Sequence, residues 1–74
     1  MGDVGDLIKV KVRIFGREER LLSLPRGSTI EGLLKALSLN PVEVVATRNG
    51  EVVTEDEILE EGDEVELYSV VSGG

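Results

Sequence analysis

Residues 7–15 read Leu-Ile-Lys-Val-Lys-Val-Arg-Ile-Phe, and from Ile8 onward apolar and basic side chains alternate. The two phases are Ile8, Val10, Val12 and Ile14 against Lys9, Lys11 and Arg13. Because successive side chains of a β-strand point to opposite faces of a sheet, this period of two predicts a strand with one buried face. The fold is therefore expected to be built on a sheet that is covered on one side.

The next residues predict a hairpin. Gly16-Arg17 suits a tight turn, since Gly can take the positive φ that the first central position of a type II′ turn requires. A second strand is then expected over residues 19–24, where Pro25 stops it.

An amphipathic helix is predicted after this hairpin. Ser28 and Glu31 have the spacing of a capping box, in which the Ser28 hydroxyl accepts the amide proton of Glu31. One apolar stripe follows at helical spacing: Ile30, Leu33, Leu34 and Leu37. Gly32 lowers the stability of such a helix by about 0.5–1 kcal/mol relative to Ala. We therefore expect Gly32 where the backbone comes close to the sheet or to a partner.

The second half of the chain is predicted to be mostly strand. A Val-rich strand over residues 43–48 and a short strand over 51–53 flank Asn49-Gly50, a strong hairpin signal. The stretch 54–57 repeats the capping-box spacing and predicts a helical turn around Ile58-Leu59. After a turn at Gly62-Asp63, the last strand is expected over residues 64–71.

This order of elements predicts an α+β fold, with one helix covering one face of a mixed sheet of four to five strands. A right-handed crossover is compatible with the first and last strands lying adjacent and parallel. The outward Lys9, Lys11 and Arg13 would then face Glu64 and Glu66, which neutralises the one basic stripe. We expect a domain over residues 7–71, with flexible ends at 1–6 and 72–74.

Composition excludes much chemistry. The chain of 74 residues has no Cys and no His and carries a net charge of −7. Thiol nucleophiles, Zn–thiolate sites and His-based catalysis are therefore absent, and unaided binding to nucleic acid or to a membrane is disfavoured. We expect no catalytic residue, no specific metal site and no transmembrane or signal segment. These features predict a cytoplasmic protein that is not an enzyme.

Charge is unevenly distributed along the chain. Residues 49–74 hold nine acidic side chains and no basic one. One interpretation is a solvated acidic surface that keeps a small protein soluble. The other is a docking face for a basic partner, which could orient the end of the chain that this acidic third leads into.

The chain ends in Ser72-Gly73-Gly74. The diglycine has two interpretations, a frayed end or a cloning remnant on one hand and a functional tail on the other. Since glycine lacks a Cβ, Gly73 and Gly74 can thread a channel too narrow for side chains and bring a terminal carboxylate to a nucleotide bound by another protein. The reactive group would then be the end of this chain, and the catalytic residues would belong to the partner.

The order of strands and helix, together with three short motifs, resembles the ubiquitin-like β-grasp sulfur carriers. The motifs are Asn49-Gly50-Glu51-Val52-Val53, Glu61-Gly62-Asp63-Glu64-Val65 and the ending Val70-Val71-Ser72-Gly73-Gly74. This family includes the thiamine-biosynthesis sulfur carrier, the molybdopterin synthase small subunit and small archaeal modifier proteins. The resemblance covers the chain from about Leu7 onward.

The resemblance implies a β-grasp fold and a function centred on Gly74. Gly74 would be adenylated by an ATP-dependent activating enzyme and then carried as a thiocarboxylate or joined to a target lysine, for thiamine, molybdopterin or tRNA thiolation pathways. It also implies a sulfur donor and a downstream synthase as partners, no bound cofactor, ATP consumed by the activating enzyme, and a monomer when free. The outer face of the sheet would dock the activating enzyme, through Arg13, Arg48, Glu66, Tyr68 and Val70. The alternative is a β-grasp interaction module whose diglycine is incidental.

Overall fold

The computed structural model describes residues 6–70, which fold as five strands and one short helix. The elements in chain order are β1 (Leu7–Ile14), β2 (Glu18–Pro25), α1 (Ile30–Ala36), a 3₁₀ turn (Pro41–Glu43), β3 (Val44–Arg48), β4 (Glu51–Val53) and β5 (Glu64–Ser69). The predicted α+β fold is confirmed. Within the described residues, no helix is long and apolar enough to cross a bilayer.

The five strands form one mixed sheet in the order β2-β1-β5-β3-β4. The central pair, β1 and β5, is parallel, and the other neighbours are antiparallel. The predicted adjacency of the first and last strands is therefore confirmed. Strand β2, of eight residues, and strand β4, of three, lie at the two edges.

The core lies between α1 and one face of the sheet. Its buried side chains are Ile8, Val10, Val12, Leu24, Ile30, Leu33, Leu34, Ala46, Leu59, Val65 and Leu67. The apolar phase of β1 and the helical stripe therefore meet as their periods predict. Leu37 and Leu22 are only partly buried and pack against the edge of this core.

The hairpin between β1 and β2 turns one residue earlier than Gly16-Arg17 predicts. Phe15 and Gly16 are the two residues with positive φ, at 54° and 71°, and the Arg17 amide donates to the Ile14 carbonyl at 3.0 Å. Two consecutive positive φ values are the signature of a type I′ turn, with Gly in the second central position rather than the first. The Phe15 amide also donates to Leu67 of β5 at 2.9 Å, which fixes where β1 ends.

Helix α1 is capped one residue later than the sequence predicts. Thr29, not Ser28, is the N-cap, and its hydroxyl accepts from the Gly32 amide at 3.2 Å. The Ser28 hydroxyl instead donates to the Pro25 carbonyl at 2.6 Å, and the Glu31 carboxylate lies 3.7 Å from Lys35. Both side chains of the predicted capping box thus have other partners.

Gly32 does not lie against the sheet. It is exposed, and a Cβ built on it would meet only the Thr29 hydroxyl, at 3.9 Å. The expected close approach to the sheet is therefore wrong.

The segment between β4 and β5 contains no helical turn around Ile58-Leu59. Its backbone bonds to the start of α1 instead: Ile58 forms a β-bridge with Thr29, and the Leu59 amide donates to Ser28 at 2.8 Å. These tertiary hydrogen bonds occupy backbone groups that a helical turn would need, and local propensity is overridden.

Candidate functional site

The outer face of the sheet, opposite α1, is the site that the sequence assigns to partner docking. Register places side chains from three neighbouring strands there. Arg13 lies opposite Glu66, Thr47 opposite Glu66, and Val45 opposite Tyr68. Directly opposed residues share a face, so β1, β3 and β5 all contribute to this surface.

Three of the predicted docking residues lie together on this face: Arg13, Glu66 and Tyr68. Val70 follows β5 in the same phase, and it is half exposed. Their contact with a partner stays a prediction, but their common location agrees with it. Val70 is also the last described residue, and its amide donates to the Glu43 carbonyl at 3.1 Å, which joins the end of β5 to the turn before β3.

Tyr68 and Glu66 form a side-chain hydrogen bond in which the phenol donates to the carboxylate. This bond, together with partial desolvation and the negative charge of Glu66, raises the pKa of Tyr68 above its ordinary value, while Thr47 and Arg13 act in the opposite direction. The raised pKa favours the protonated phenol, which is the form that donates to Glu66. Tyr68 presents an apolar ring on this face and keeps its polar tip bonded.

The predicted pairing of the basic side chains of β1 with acidic side chains of β5 is only partly confirmed. Lys11 is in register with Glu64 of β5, as expected, yet its ion pair is with Glu19 of β2, at 3.9 Å. Both partners of this pair are about half exposed, so it adds a few tenths of a kcal/mol at most.

Arg48 does not lie on the outer face. It is paired with the buried Val65, which places it on the core side of the sheet, at the end of β3. Its guanidinium donates to Glu57 at 2.9 Å and to the Ile58 carbonyl at 2.8 Å, and lies 3.6 Å from Asp63. The sequence-based placement of Arg48 with the docking residues is thus corrected, because the phase of β3 turns it toward the loop before β5.

Asp63 is a structural residue that the sequence reasoning missed. It is 8% exposed, and its carboxylate accepts from the Glu60 amide at 2.8 Å and from the Asn49 side chain at 3.3 Å. The Asn49 side chain also accepts from the Glu64 amide at 3.0 Å. The sequence pattern that could have indicated this role is the pair of turns Asn49-Gly50 and Gly62-Asp63, because the Asn49 side chain donates to the Asp63 carboxylate.

Within the described residues, the acidic third spans the β3–β4 turn, β4, the loop before β5 and β5 itself. Its turn-borne acidic residues, in the range 51–63, lie before β5, whereas Val70 follows β5. A strand of six residues separates the two by about 17 Å. The docking of a basic partner on these acidic residues, which would orient the tail, stays a prediction, because the tail lies outside the described residues. In the described part of the chain, no group of three or more acidic side chains is arranged to hold a metal ion.

The predicted tail residues Ser72, Gly73 and Gly74 lie outside the described residues, and so does Val71. Comparison with known protein families covers them. The ThiS family matches residues 11–74, which is nearly the whole chain and includes the diglycine. The chain belongs to the ThiS family.

Solved structures agree with this membership. A protein of Pyrococcus furiosus described as molybdopterin converting factor, subunit 1, is 26% identical, with a TM-score of 0.72 over 86% of this ThiS-family chain and 99% of that one. SAMP1 from Haloferax volcanii is 22% identical, with a TM-score of 0.71 over 89% and 99% of the two chains. A ubiquitin of Caldiarchaeum subterraneum is 19% identical, with a TM-score of 0.69 over 92% and 99%.

These likenesses confirm the ubiquitin-like β-grasp fold, and the ThiS-family match confirms the resemblance to sulfur carriers. Members of the ThiS family are small protein carriers rather than catalysts, and the family implies an activating enzyme and a synthase as partners. The predicted docking residues Arg13, Glu66, Tyr68 and Val70 of this ThiS-family chain lie beside one another on the outer face, and their contact with a partner stays a prediction.

Proposed function

We propose that this chain is a sulfur carrier or protein modifier whose Gly74 carboxylate is activated by an ATP-dependent enzyme. The observation that carries this proposal is the family match, which extends without interruption from β1 through Gly74. The matched range thus includes the diglycine, which favours a functional tail over an incidental one.

The proposed chemistry needs no side chain of this protein as a catalyst. The carboxylate oxygen of Gly74 attacks the α-phosphorus of ATP, the bond to the bridging oxygen breaks, and pyrophosphate leaves. In the resulting acyl-adenylate, the former carboxylate oxygen is bonded to AMP, a much better leaving group. Hydrosulfide, or an equivalent sulfur donor, then attacks the carbonyl carbon and expels AMP to give a thiocarboxylate. A lysine amine that attacks instead loses a proton and gives an isopeptide bond.

The fold contributes positioning. Strand β5 is held on both sides, by β1 and β3, so its outgoing end has a fixed direction. Glycine at the last two positions has no Cβ that would obstruct entry into a narrow channel of the activating enzyme. The outer face, through Arg13, Glu66, Tyr68 and Val70, would contact that enzyme beside the root of the tail. ATP would be bound and consumed by the partner.

The test is ATP–pyrophosphate exchange with an activating enzyme of the ubiquitin-activating type from the same host. Exchange should depend on this chain, and Gly73→Val should lower it at least tenfold by blocking entry. Gly32→Ala is the matched control, since it adds a methyl group to an exposed helical glycine and should leave exchange unchanged. Equal exchange with the chain lacking Gly74 would contradict the proposal and favour the interaction-module alternative.

Docking by the outer face is tested separately. Tyr68→Ser should raise the concentration of carrier that gives half-maximal exchange, with little effect on the maximal rate, because Tyr68 is six residues before the reacting Gly74. Ile58→Ser is the control, because Ile58 is an exposed apolar side chain in the segment that pairs with the start of α1, away from the outer face. If both variants behave alike, the outer face is not the docking surface.

A further inference from the structure

An apolar groove opens between α1 and the β3–β4 edge of the sheet. It has a volume of about 310 Å³, and its floor is formed by the buried Ile30 and Leu34. Val44 and Val53 are partly buried along its side, and Val42 stands at its margin with 80% of its surface exposed. An apolar side chain as exposed as Val42, beside a groove with an apolar floor, is a feature of interaction sites.

The groove lies along an open sheet edge. Strand β4 is the outermost strand, and within residues 6–70 it pairs with β3 alone. In a two-residue hairpin the pair Arg48–Glu51 next to the turn is hydrogen bonded, and the pairs alternate from there. The amide and carbonyl of Val52 consequently point away from β3. An extended chain can add to the sheet at this position.

Negative charge borders the groove. Glu55 lines it directly, Glu51 and Glu43 are chain neighbours of lining residues, and the Glu31 amide bonds to the Glu55 carbonyl at 3.0 Å. None of the described residues that line the groove is basic. Lys35 on α1 lies 3.7 Å from Glu31, and Arg48 of β3 lies opposite Glu51, so the border charge offered to a partner is carried mainly by Glu43 and Glu55.

We propose that this groove and the β4 edge bind an extended segment of a partner protein in which an apolar side chain lies between lysines or arginines. The apolar side chain would fill the groove over Leu34, and the backbone would pair with Val52. The flanking cations would meet the glutamates at the border, which gives both specificity and faster association. An acidic or purely apolar segment lacks this complementarity.

The observations favour such a segment over a second copy of this chain. At a net charge of −7, two copies repel each other, and the β4 edge of a second copy would bring the same glutamates together. The groove lies on the helix side of the sheet, whereas the predicted docking face for the activating enzyme is the opposite side. The inference therefore does not depend on the chemistry proposed for Gly74.

The test is titration of the ¹⁵N-labelled full chain with a blocked peptide of alternating lysine and valine, followed by amide chemical shifts. Shifts should be largest at Val52, Val53 and Leu34. Val42→Ser should weaken binding about fivefold, the effect of removing a buried branched side chain from a contact. A matched peptide with glutamate in place of lysine should not bind, and added salt should weaken binding of the lysine peptide.

The control variant is Leu21→Ser, which removes a 65% exposed apolar side chain on the outer face of β2, at the opposite edge of the sheet, and should leave affinity unchanged. Absence of binding at millimolar peptide overturns the proposal, and so do shifts confined to Arg13 and Tyr68 on the outer face. The same shift pattern produced by concentrating the protein alone identifies a second copy as the occupant, which also overturns it.

Discussion

The Arg48 guanidinium of β3 forms an ion pair with the Asp63 carboxylate before β5, with Arg48 Nε 3.6 Å from Asp63 Oδ2. The guanidinium also donates to the Glu57 carboxylate at 2.9 Å. The Arg48 side chain thus joins β3 to Glu57 and Asp63, two residues of the loop between β4 and β5. The pairing explains why a residue that the sequence places with the docking surface belongs to the scaffold.

Arg48→Gln is expected to lower the free energy of unfolding by about 1–3 kcal/mol, because Asp63 is left as a poorly compensated buried carboxylate and the loop loses two hydrogen bonds. Urea unfolding measures this loss. Arg13→Gln, on the exposed outer face, is the control and should change stability by less than about 0.5 kcal/mol. Equal losses for the two variants would show that Arg48 does not hold the loop.

The cap of α1 gives a second prediction. Thr29→Ala should lower the free energy of unfolding by about 1 kcal/mol, since the Gly32 amide loses its acceptor at the start of a helix of only seven residues. Ser28→Ala should lower it by less, because Ser28 makes a local bond to Pro25 outside the helix. A larger loss of stability for Ser28→Ala than for Thr29→Ala would show that Ser28 caps the helix, as the capping-box spacing predicts.

Gly32→Ala is expected to raise the free energy of unfolding by about 0.5–1 kcal/mol. The new methyl group would find open space apart from the Thr29 hydroxyl at 3.9 Å, and Ala is the better helix former. Thermal or urea unfolding measures the gain. Gly50→Ala is the contrasting variant: with φ at 91° in the β3–β4 turn, it should be destabilised. A loss at both positions would contradict the open surface at Gly32.

Tyr68 gives a prediction on pH. The Glu66 carboxylate accepts a hydrogen bond from the Tyr68 phenol and carries a negative charge beside it. The phenolate is therefore disfavoured, and the pKa of Tyr68 is raised above 10.0. Glu66→Gln should therefore lower the titration midpoint, and Arg13→Gln should raise it further, because the cation stabilises the phenolate. The ultraviolet absorbance of tyrosinate measures the titration midpoint of Tyr68 without interference, since Tyr68 is the only tyrosine and the chain has no tryptophan. An unchanged midpoint in Glu66→Gln would show that the bond is absent in solution.

Periodicity predicted the parts of the fold that depend on burial. The alternation of β1 and the stripe containing Leu33 and Leu34 both point to the core, because burying one face is the dominant contribution to stability at each of these positions. The Asn49-Gly50 hairpin was equally readable, since a type I′ turn requires two positive φ values that few residue pairs tolerate.

What the sequence did not predict was the choice between competing local hydrogen bonds. Ser28 and Thr29 are both good caps, and only the packing of residues 54–59 on the start of α1 decides between them. The apparent helical turn at Ile58 is likewise absent, because its backbone pairs with Thr29. For the predicted docking site, the sequence placed Arg13, Glu66 and Tyr68 on the correct face of the sheet, because apolar and polar residues alternate in their strands. It failed for Arg48, in a strand with apolar residues on both faces.

The central claim is that Gly74 is the functional group of the protein. The most direct measurement is the intact mass of the full chain after incubation with its activating enzyme, ATP and a sulfur donor. The account predicts a mass gain equal to the replacement of one oxygen by sulfur, mapped to Gly74 by fragmentation and absent without ATP. A chain that retains its unmodified mass under conditions where the enzyme activates its other carriers would contradict it.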